Sequence, residues 1–355
     1  MRQVVGVTAG GSAVRIRLSN LYGQAPLQVA GATIARAGEG AAVRPGSLRP
    51  LMFDHSPTAT IPAGAERVSD AAALRVKPGE AVTVTLYLAA RTGPATFHSQ
   101  SSATSYRATG DHRADQGSAA LIESTRSWYY LSRVDVLADR PARQDGVVAI
   151  GDSITDGYNS TTDANNRYPD ELAERLAAAG RPRPVLNAGI SGDRVLNDSA
   201  WYGDSIATRF DRDALDQPGV RTVIVLGGIN DIRFSEATDN PTAVPNPNVS
   251  AAQLIAAHRH LIQRAHAGGL KVIGATLLPT KGDELTTAAG ETVRDTLNPW
   301  IRTSGEYDAV VDFDRAMAAP TDPDRLNPAY DRGDHLHPND AGYRRMAEAF
   351  DLDTL

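Results

Sequence analysis

The sequence contains no cysteine among its 355 residues. Disulfide bonds, thiolate zinc sites and cysteine nucleophiles are therefore excluded. Long apolar runs are missing too, and no segment approaches the ~20 residues that a membrane-spanning helix needs. Basic residues are in the minority, and the net charge is −6. This balance argues against a nucleic-acid partner, because binding to phosphates favours a basic surface.

The remaining composition is that of an ordinary globular protein, with 41% hydrophobic and 22% charged residues. The length is natural for two domains. No basic segment followed by an apolar one comes after Met1, as a secretion signal would require. Two alternatives for the localisation therefore stay open: a cytoplasmic protein, or a chain that begins after a removed signal. The sequence does not indicate an oligomeric state.

Residues 1–138 have the pattern of an all-β domain. Val14–Leu18 and Val82–Leu88 alternate between apolar and polar residues, as half-buried strands do. Clusters containing Gly and Pro separate such runs at short intervals, which is typical of turns. The pattern predicts a β-sandwich, of jelly-roll type or similar. A polar segment containing Pro141, residues 139–146, is the predicted linker.

From residue 147 to residue 355 the pattern changes to alternating strands and helices. Such alternation predicts an α/β fold in three layers, with a mainly parallel sheet between helices. The predicted strands and helices are Val147–Ile150, a helix from Pro169 to about Gly180, a helix over Ala251–Ala267, Val272–Ala275, Ala309–Asp312, and a last helix after Asn339.

A Gly-Asp-Ser segment, Gly151–Ser153, follows the first of these strands. Open α/β sheets bind ligands at the carboxyl ends of their strands, so Ser153 is a candidate nucleophile. The same three residues recur at Gly203–Ser205, but no strand precedes them. We interpret the second copy as chance.

Three further stretches follow in order: Asn187–Gly192, Gly228–Asp231 and Asp334–Pro338. Together with Gly151–Ser153 they resemble the blocks of the SGNH hydrolases, also called GDSL-type esterases and lipases. Those blocks are Gly-Asp-Ser, a Gly, Gly-x-Asn-Asp and Asp-x-x-His-Pro. The resemblance covers about residues 145–355, with Ile154 standing where the family name has Leu. It implies a three-layer α/β/α catalytic domain.

The resemblance also implies the roles of individual residues. Ser153 would be the nucleophile, His337 the general base and then acid, and Asp334 the group that orients His337. The oxyanion hole would consist of the backbone N–H groups of Ser153 and Gly192 and the side-chain amide of Asn230. Two milder interpretations remain: His337 as a surface histidine, and Asn230 as a residue that caps a turn.

The implied function is hydrolysis of carboxylic (acyl) esters, small or polymeric, through an acyl-enzyme. The alternatives are a deacetylase of acetylated polysaccharide and a catalytically silent protein that binds polysaccharide. Trp128–Tyr130 fits either a sugar-stacking platform or buried residues of the last β-domain strands. For the localisation, the resemblance to this family favours a secreted protein.

We expect no cofactor and no metal. His335 and His337 could suggest a metal site, but no third histidine or acidic ligand stands at metal spacing, and the histidines of the long helix do not share one face. Those helix histidines, His258, His260 and His266, are predicted to be solvated. Asp193 and Arg194 are expected to pair near the site. Two polar loops, residues 236–248 and 280–287, are expected to overhang the site or to be mere surface.

Overall fold

The structure is a computed structural model that describes residues 1–138, 145–235, 237 and 240–355. Residues 139–144 of the predicted linker lie outside the described residues. The chain divides into two compact units, Met1–Ala142 with Thr162–Asn165, and Arg143–Thr161 with Asn166–Leu355.

The first unit consists of antiparallel strands. They are β1 Arg2–Gly6, β2 Ala13–Ser19, β3 Leu27–Val29, β4 Gly31–Arg36, β5 Arg49–Leu51, β6 Ala59–Ile61, β7 Glu66–Val68, β8 Ala81–Tyr87, β9 Phe97–His98, β10 Ser105–Arg107, β11 Glu123–Thr125, β12 Trp128–Tyr129 and β13 Leu131–Leu137. The largest sheet has the order β11-β10-β1-β8-β4-β5, and a second has the order β13-β2-β7. Two strand pairs, β12-β9 and β3-β6, complete the unit.

One hydrophobic core joins the two larger sheets. Ile16 of β2 and Val84 of β8, which belong to different sheets, are fully buried in the same cluster. The predicted all-β domain is therefore confirmed. In its closing strands Trp128 and Tyr129 are half-buried, and Tyr130 is buried.

The second unit contains the strands β14 Gly146–Gly151, β15 Val185–Gly189, β16 Val220–Leu226, β17 Lys271–Ala275 and β18 Ala309–Val311, and the hairpin β19 Ala318–Ala319 and β20 Asp322–Leu326. Its helices are α1 Ser153–Asp156, α2 Tyr168–Ala178, α3 Ile206–Phe210, α4 Ile229–Phe234, α5 Ala251–Ala267, α6 Ala288–Thr303, α7 Phe313–Met317 and α8 Asp340–Glu348. A π-helical turn, Asp211–Leu215, and two 3-10 turns, Pro241–Ala243 and Leu352–Thr354, complete the list.

The five strands β14 to β18 form one parallel sheet with the order β15-β14-β16-β17-β18. The chain moves from β14 to one side of the sheet and later from β16 to the other side. Because parallel crossovers are right-handed, these two directions put the connecting helices on opposite faces of the sheet. The predicted α/β/α architecture is confirmed.

The reversal of direction creates a crevice between the carboxyl ends of β14 and β16, where open sheets bind their ligands. Ser153 follows β14 and Asn230 follows β16. The fold therefore brings two sequence-predicted site residues to the same edge of the sheet. Among the described residues, no helix is both long and apolar enough to cross a membrane.

Candidate active site

Ser153 is the first residue of helix α1, and only Asp152 separates it from the buried strand β14. Asp152 caps this helix, since its Oδ1 accepts a hydrogen bond of 2.9 Å from the backbone N–H of Ile154. At the first helical position the backbone N–H of Ser153 has no intrahelical acceptor. Ser153 is only 7% exposed, and its Oγ lies 2.8 Å from Nε2 of His337.

His337 is held by Asp334 through two hydrogen bonds. Its Nδ1 lies 2.7 Å from Oδ2 of Asp334, and its backbone N–H donates to Oδ1 at 2.8 Å. Burial would raise the pKa of Asp334, but these bonds outweigh it and hold the pKa of the carboxyl well below its usual range. An ionised carboxylate only accepts, so Nδ1 carries the proton and Nε2 is left to accept from the Ser153 hydroxyl.

Gly192 lies in the turn after β15, with a φ of +83°. A Cβ at this position would stand 2.1 Å from the ring of Tyr202, so the site has room only for glycine. The preceding residue, Ser191, donates from its backbone N–H (3.1 Å) and its hydroxyl (2.6 Å) to Asp156 of helix α1. This fastens the turn to the helix that carries Ser153. Within the described part of the chain, the Gly192 N–H has no protein acceptor.

Asn230 is 2% exposed on helix α4. Its Nδ2 donates to the backbone carbonyl of Asp193 at 3.0 Å, next to Gly192. Its Oδ1 accepts from Arg233 at 3.2 Å. The second N–H of the amide has no acceptor among the residues that the structure describes.

The family of the chain follows from matching its sequence to models of known protein families. The model of the GDSL-like Lipase/Acylhydrolase family matches residues 149–345, more than half of the chain. The chain belongs to the GDSL-like lipase/acylhydrolase family. No curated protein matches the chain.

Solved structures similar to this chain include a putative lipolytic protein of the G-D-S-L family from Desulfitobacterium hafniense. It is 22% identical, with 57% of this chain and 96% of that chain covered and a TM-score of 0.42. A GDSL-like lipase from Bacteroides thetaiotaomicron is 20% identical, with 60% and 89% covered and a TM-score of 0.44. An acetylxylan esterase from Geobacillus stearothermophilus is 22% identical, with 58% and 92% covered and a TM-score of 0.44.

The ion-pair partner of Asp193 in this GDSL-like chain is not the predicted Arg194, which contacts the carboxylate only through its backbone N–H, at 2.7 Å. Asp193 pairs with Arg209, whose side chain is fully buried and lies 2.7 Å from its carboxylate. Burial raises the pKa of Asp193 to about 7, and the Arg209 guanidinium opposes that rise. Arg209 also donates to the carbonyls of Gly151 (2.9 Å) and Ala188 (2.7 Å), so it fastens the Gly192 turn to the ends of β14 and β15.

Two aromatic residues at the site were not predicted. The ring of Tyr158 packs against the His337 imidazole, with centroids 4.7 Å apart. Tyr202 presses on Gly192 and stacks on Phe234 of helix α4 at 5.5 Å. A weak signal for the first lies in its position directly after the Gly157 that ends helix α1, whereas nothing in the sequence links Tyr202 to Gly192.

His258 corrects another expectation. It is fully buried, with Nδ1 2.5 Å from the Tyr307 hydroxyl and Nε2 3.2 Å from the Gly227 carbonyl. Burial lowers its pKa to about 4, so it is a neutral core residue and not the solvated one that was predicted. His260 is exposed as expected. His266 bonds to Asp308 at 2.9 Å.

One group of described acidic residues has the spacing of metal ligands: Glu291, Asp295 and Asp324. The Arg294 guanidinium pairs with all three of these carboxylates. Of the two predicted loops, 280–287 contacts helix α4 through Asp283, which pairs with Arg233 at 2.8 Å. In the loop 236–248, Ala243 and Pro245 accept hydrogen bonds from Arg194, and residues 236, 238 and 239 lie outside the described residues.

Proposed function

We propose that the chain is a serine hydrolase of carboxylic (acyl) esters that works through an acyl-enzyme intermediate. Ser153 is the nucleophile, His337 the general base and acid, and Asp334 the residue that orients His337. The observation that carries the proposal is the continuous chain of hydrogen bonds from the Ser153 hydroxyl through His337 to Asp334, at 2.8 Å and 2.7 Å. This is the relation of nucleophile, base and orienting group that serine catalysis requires.

In the first half of the reaction, Oγ of Ser153 attacks the carbonyl carbon of the ester and its proton passes to Nε2 of His337. The tetrahedral intermediate collapses, the bond to the alcohol oxygen breaks, and His337 gives its proton to the leaving alcohol. The acyl group is then bonded to Ser153. In the second half, His337 takes a proton from water, the hydroxide attacks the acyl carbon, and Ser153 recovers its proton as the acid leaves.

The negative oxygen of each tetrahedral intermediate is stabilised by three donors: the backbone N–H groups of Ser153 and Gly192 and the second amide N–H of Asn230. Neither the N–H of Gly192 nor the second amide hydrogen of Asn230 has an acceptor among the described residues, which supports this assignment. Donors fixed in advance by the protein cost no reorganisation when the charge develops.

A separate measurement decides which alcohol and acyl groups the substrate contains. A lipid-type acyl ester and an acetylated polysaccharide both present the carbonyl that this chemistry needs. The rates on p-nitrophenyl esters of increasing acyl length, compared with acetate release from acetylated xylan, separate the two. A rate that falls steeply beyond acetyl, together with acetate release, identifies the carbohydrate deacetylase.

The reaction class is tested by p-nitrophenyl acetate turnover in the wild type and in Ser153→Ala. We expect turnover by the wild type and almost none by the variant. Absence of turnover in a folded wild type, on every ester tried, contradicts the proposal and favours the silent polysaccharide-binding protein.

A further inference from the structure

Arg233 uses all three of its guanidinium nitrogens. Nε and Nη2 bind the two carboxylate oxygens of Asp283 at 2.9 and 2.8 Å, and Nη1 donates to Oδ1 of Asn230 at 3.2 Å. The side chains of Arg233 and Asp283 are only 12% and 4% exposed. The buried ion pair of Arg233 and Asp283 therefore contacts Asn230, whose amide belongs to the proposed oxyanion hole.

The contacts of Asn230 allow only one orientation of its amide. A guanidinium has donors but no acceptor, so the atom facing Arg233 must be the amide oxygen. The Asp193 carbonyl can only accept, so the atom facing it must be the amide nitrogen. A flipped amide would put nitrogen against guanidinium and oxygen against carbonyl, and would lose both bonds.

Asp283 fixes the guanidinium in turn. Its Oδ2 also accepts from the backbone N–H of Leu285 and the hydroxyl of Thr286, both at 3.2 Å. The loop 280–287 thus holds Asp283, Asp283 holds Arg233, and Arg233 holds Asn230. Asp283 offsets part of the charge of Arg233, which still acts on Asp152 at a distance. A substitution that keeps the cation is therefore needed to separate geometry from charge.

We propose that Arg233, clamped by Asp283, is a positioning residue that keeps the Asn230 amide turned toward the oxyanion. This inference rests on the proposed function. It gives the loop 280–287 a role in catalysis although none of its residues needs to touch the substrate.

The experiment is a double-mutant cycle on kcat and KM for p-nitrophenyl acetate, with Asn230→Ala, Arg233→Lys and the double variant. Lysine keeps a cation beside Asp283 but is a point charge, and it cannot reproduce a fork that binds Asp283 and Asn230 together. We expect Arg233→Lys to lower kcat by up to about 10²-fold, as small misplacements of catalytic groups do. KM should stay within about two-fold, because the loss falls on the transition state.

The double variant decides the case. If Arg233 acts only through Asn230, its substitution has nothing further to remove once Asn230 is alanine, and the double variant should have the kcat of Asn230→Ala. Independent, multiplying losses in the double variant would overturn the inference, and so would a wild-type kcat in Arg233→Lys. If Asn230→Ala itself has the wild-type kcat, the proposed oxyanion hole fails instead, and if Ser153→Ala stays active the proposed reaction fails.

Arg302 offers a matched control. It holds Asp312 with the same two-pronged geometry, 2.8 and 2.9 Å. Arg302 is about as buried as Arg233, at 16% against 12% exposure, whereas Asp312 is more exposed than Asp283, at 25% against 4%. Among the described residues the side-chain hydrogen bonds of Arg302 reach Asp312 and Asp314 and none of the proposed site residues. Arg302→Lys should leave kcat unchanged. A loss of kcat in Arg302→Lys as large as in Arg233→Lys would mean that weakening any such ion pair in this unit disturbs catalysis, and would contradict the positioning role.

Discussion

Residues 151–153 and residues 203–205 are the same tripeptide, Gly-Asp-Ser, in two settings. The first lies at the carboxyl end of β14, an inner strand of the parallel sheet, and its serine hydroxyl meets His337. The second follows a short turn, and its serine caps helix α3, accepting from the Thr208 N–H at 3.3 Å. Both serines are almost fully buried, so burial alone does not separate them.

The two aspartates differ as well. Asp152 is fully buried, and its Oδ2 has no hydrogen-bond partner in the described part of the chain. Asp204 pairs with Arg212 at 2.9 Å and is partly exposed. The Gly-Asp-Ser tripeptide alone therefore does not identify a nucleophile. The chemistry comes from the strand that fixes the serine at the sheet edge and from the distant loop that brings a histidine to it.

The largest expected effect concerns the two serines. Ser153→Ala should lower kcat/KM for p-nitrophenyl acetate by about 10⁴- to 10⁶-fold, as removal of a serine nucleophile does. Ser205→Ala should keep the wild-type rate, since its hydroxyl caps helix α3 and has no part in the proposed triad. Similar losses of kcat/KM in both variants would contradict a functional difference between the two segments.

The next effect concerns two Asp–His pairs in the same loop, Asp334–His337 and Asp331–His335, both 2.7 Å long. Asp334→Asn should lower kcat by about 10² to 10⁴, because asparagine can donate to Nδ1 and so stabilise the wrong tautomer. His335→Ala should keep the wild-type kcat. A collapse in His335→Ala would mean that the other histidine serves Ser153.

Asp152 should make stability depend on pH. Burial raises its pKa from 3.8 to about 7, so the folded state binds a proton that the unfolded state has already lost. Its contribution to stability is full below pH 3.8 and is lost as the pH rises through about 7. The free energy of unfolding of Asp152→Asn, relative to wild type, should therefore increase between pH 5 and pH 9. Urea unfolding curves at several pH values measure this, and parallel trends would contradict the shift.

A smaller effect is expected from the Ser205 cap. Loss of a serine N-cap typically costs about 1 kcal/mol, so Ser205→Ala should unfold at a slightly lower urea concentration than the wild type. An unchanged unfolding midpoint in Ser205→Ala would show that the cap contributes little to helix α3.

No effect is expected from chelation. The proposed chemistry needs only side chains and backbone N–H groups, so dialysis against a chelator should leave kcat unchanged. A loss restored by zinc would overturn the triad.

The sequence predicted the parts of the fold that local pattern specifies. Helix α5 spans the residues predicted for it, roughly 251–267, because its apolar stripe is regular. In the structure Ser250 and Gln253 form a capping box at its start. The strand before Ser153 was evident from four consecutive apolar residues. Helix α6 was not predicted, because Pro299 interrupts its pattern.

The order of the motifs along the chain was enough to predict which residues form the candidate site. These motifs led to Ser153, Gly192, Asn230, Asp334 and His337, which the structure brings to one edge of the sheet, and their roles stay predictions.

The supporting contacts were not predictable, because they join residues far apart in the sequence. Arg233 and Asp283 are 50 residues apart, and the buried His258 meets Tyr307 across 49 residues. The choice between Arg194 and Arg209 as the partner of Asp193 depended on how helix α3 packs back on the sheet, which no local pattern encodes.

The most direct test of the account is covalent trapping of the nucleophile. The wild type is treated with diethyl p-nitrophenyl phosphate, and the modified residue is located by mass spectrometry of its peptides. We expect one diethylphosphoryl group on Ser153, none on Ser205, and loss of esterase activity in proportion to the modified fraction. Modification of Ser205 instead, or full inactivation with Ser153 unmodified, would contradict the claim that the strand before Ser153 makes it the nucleophile.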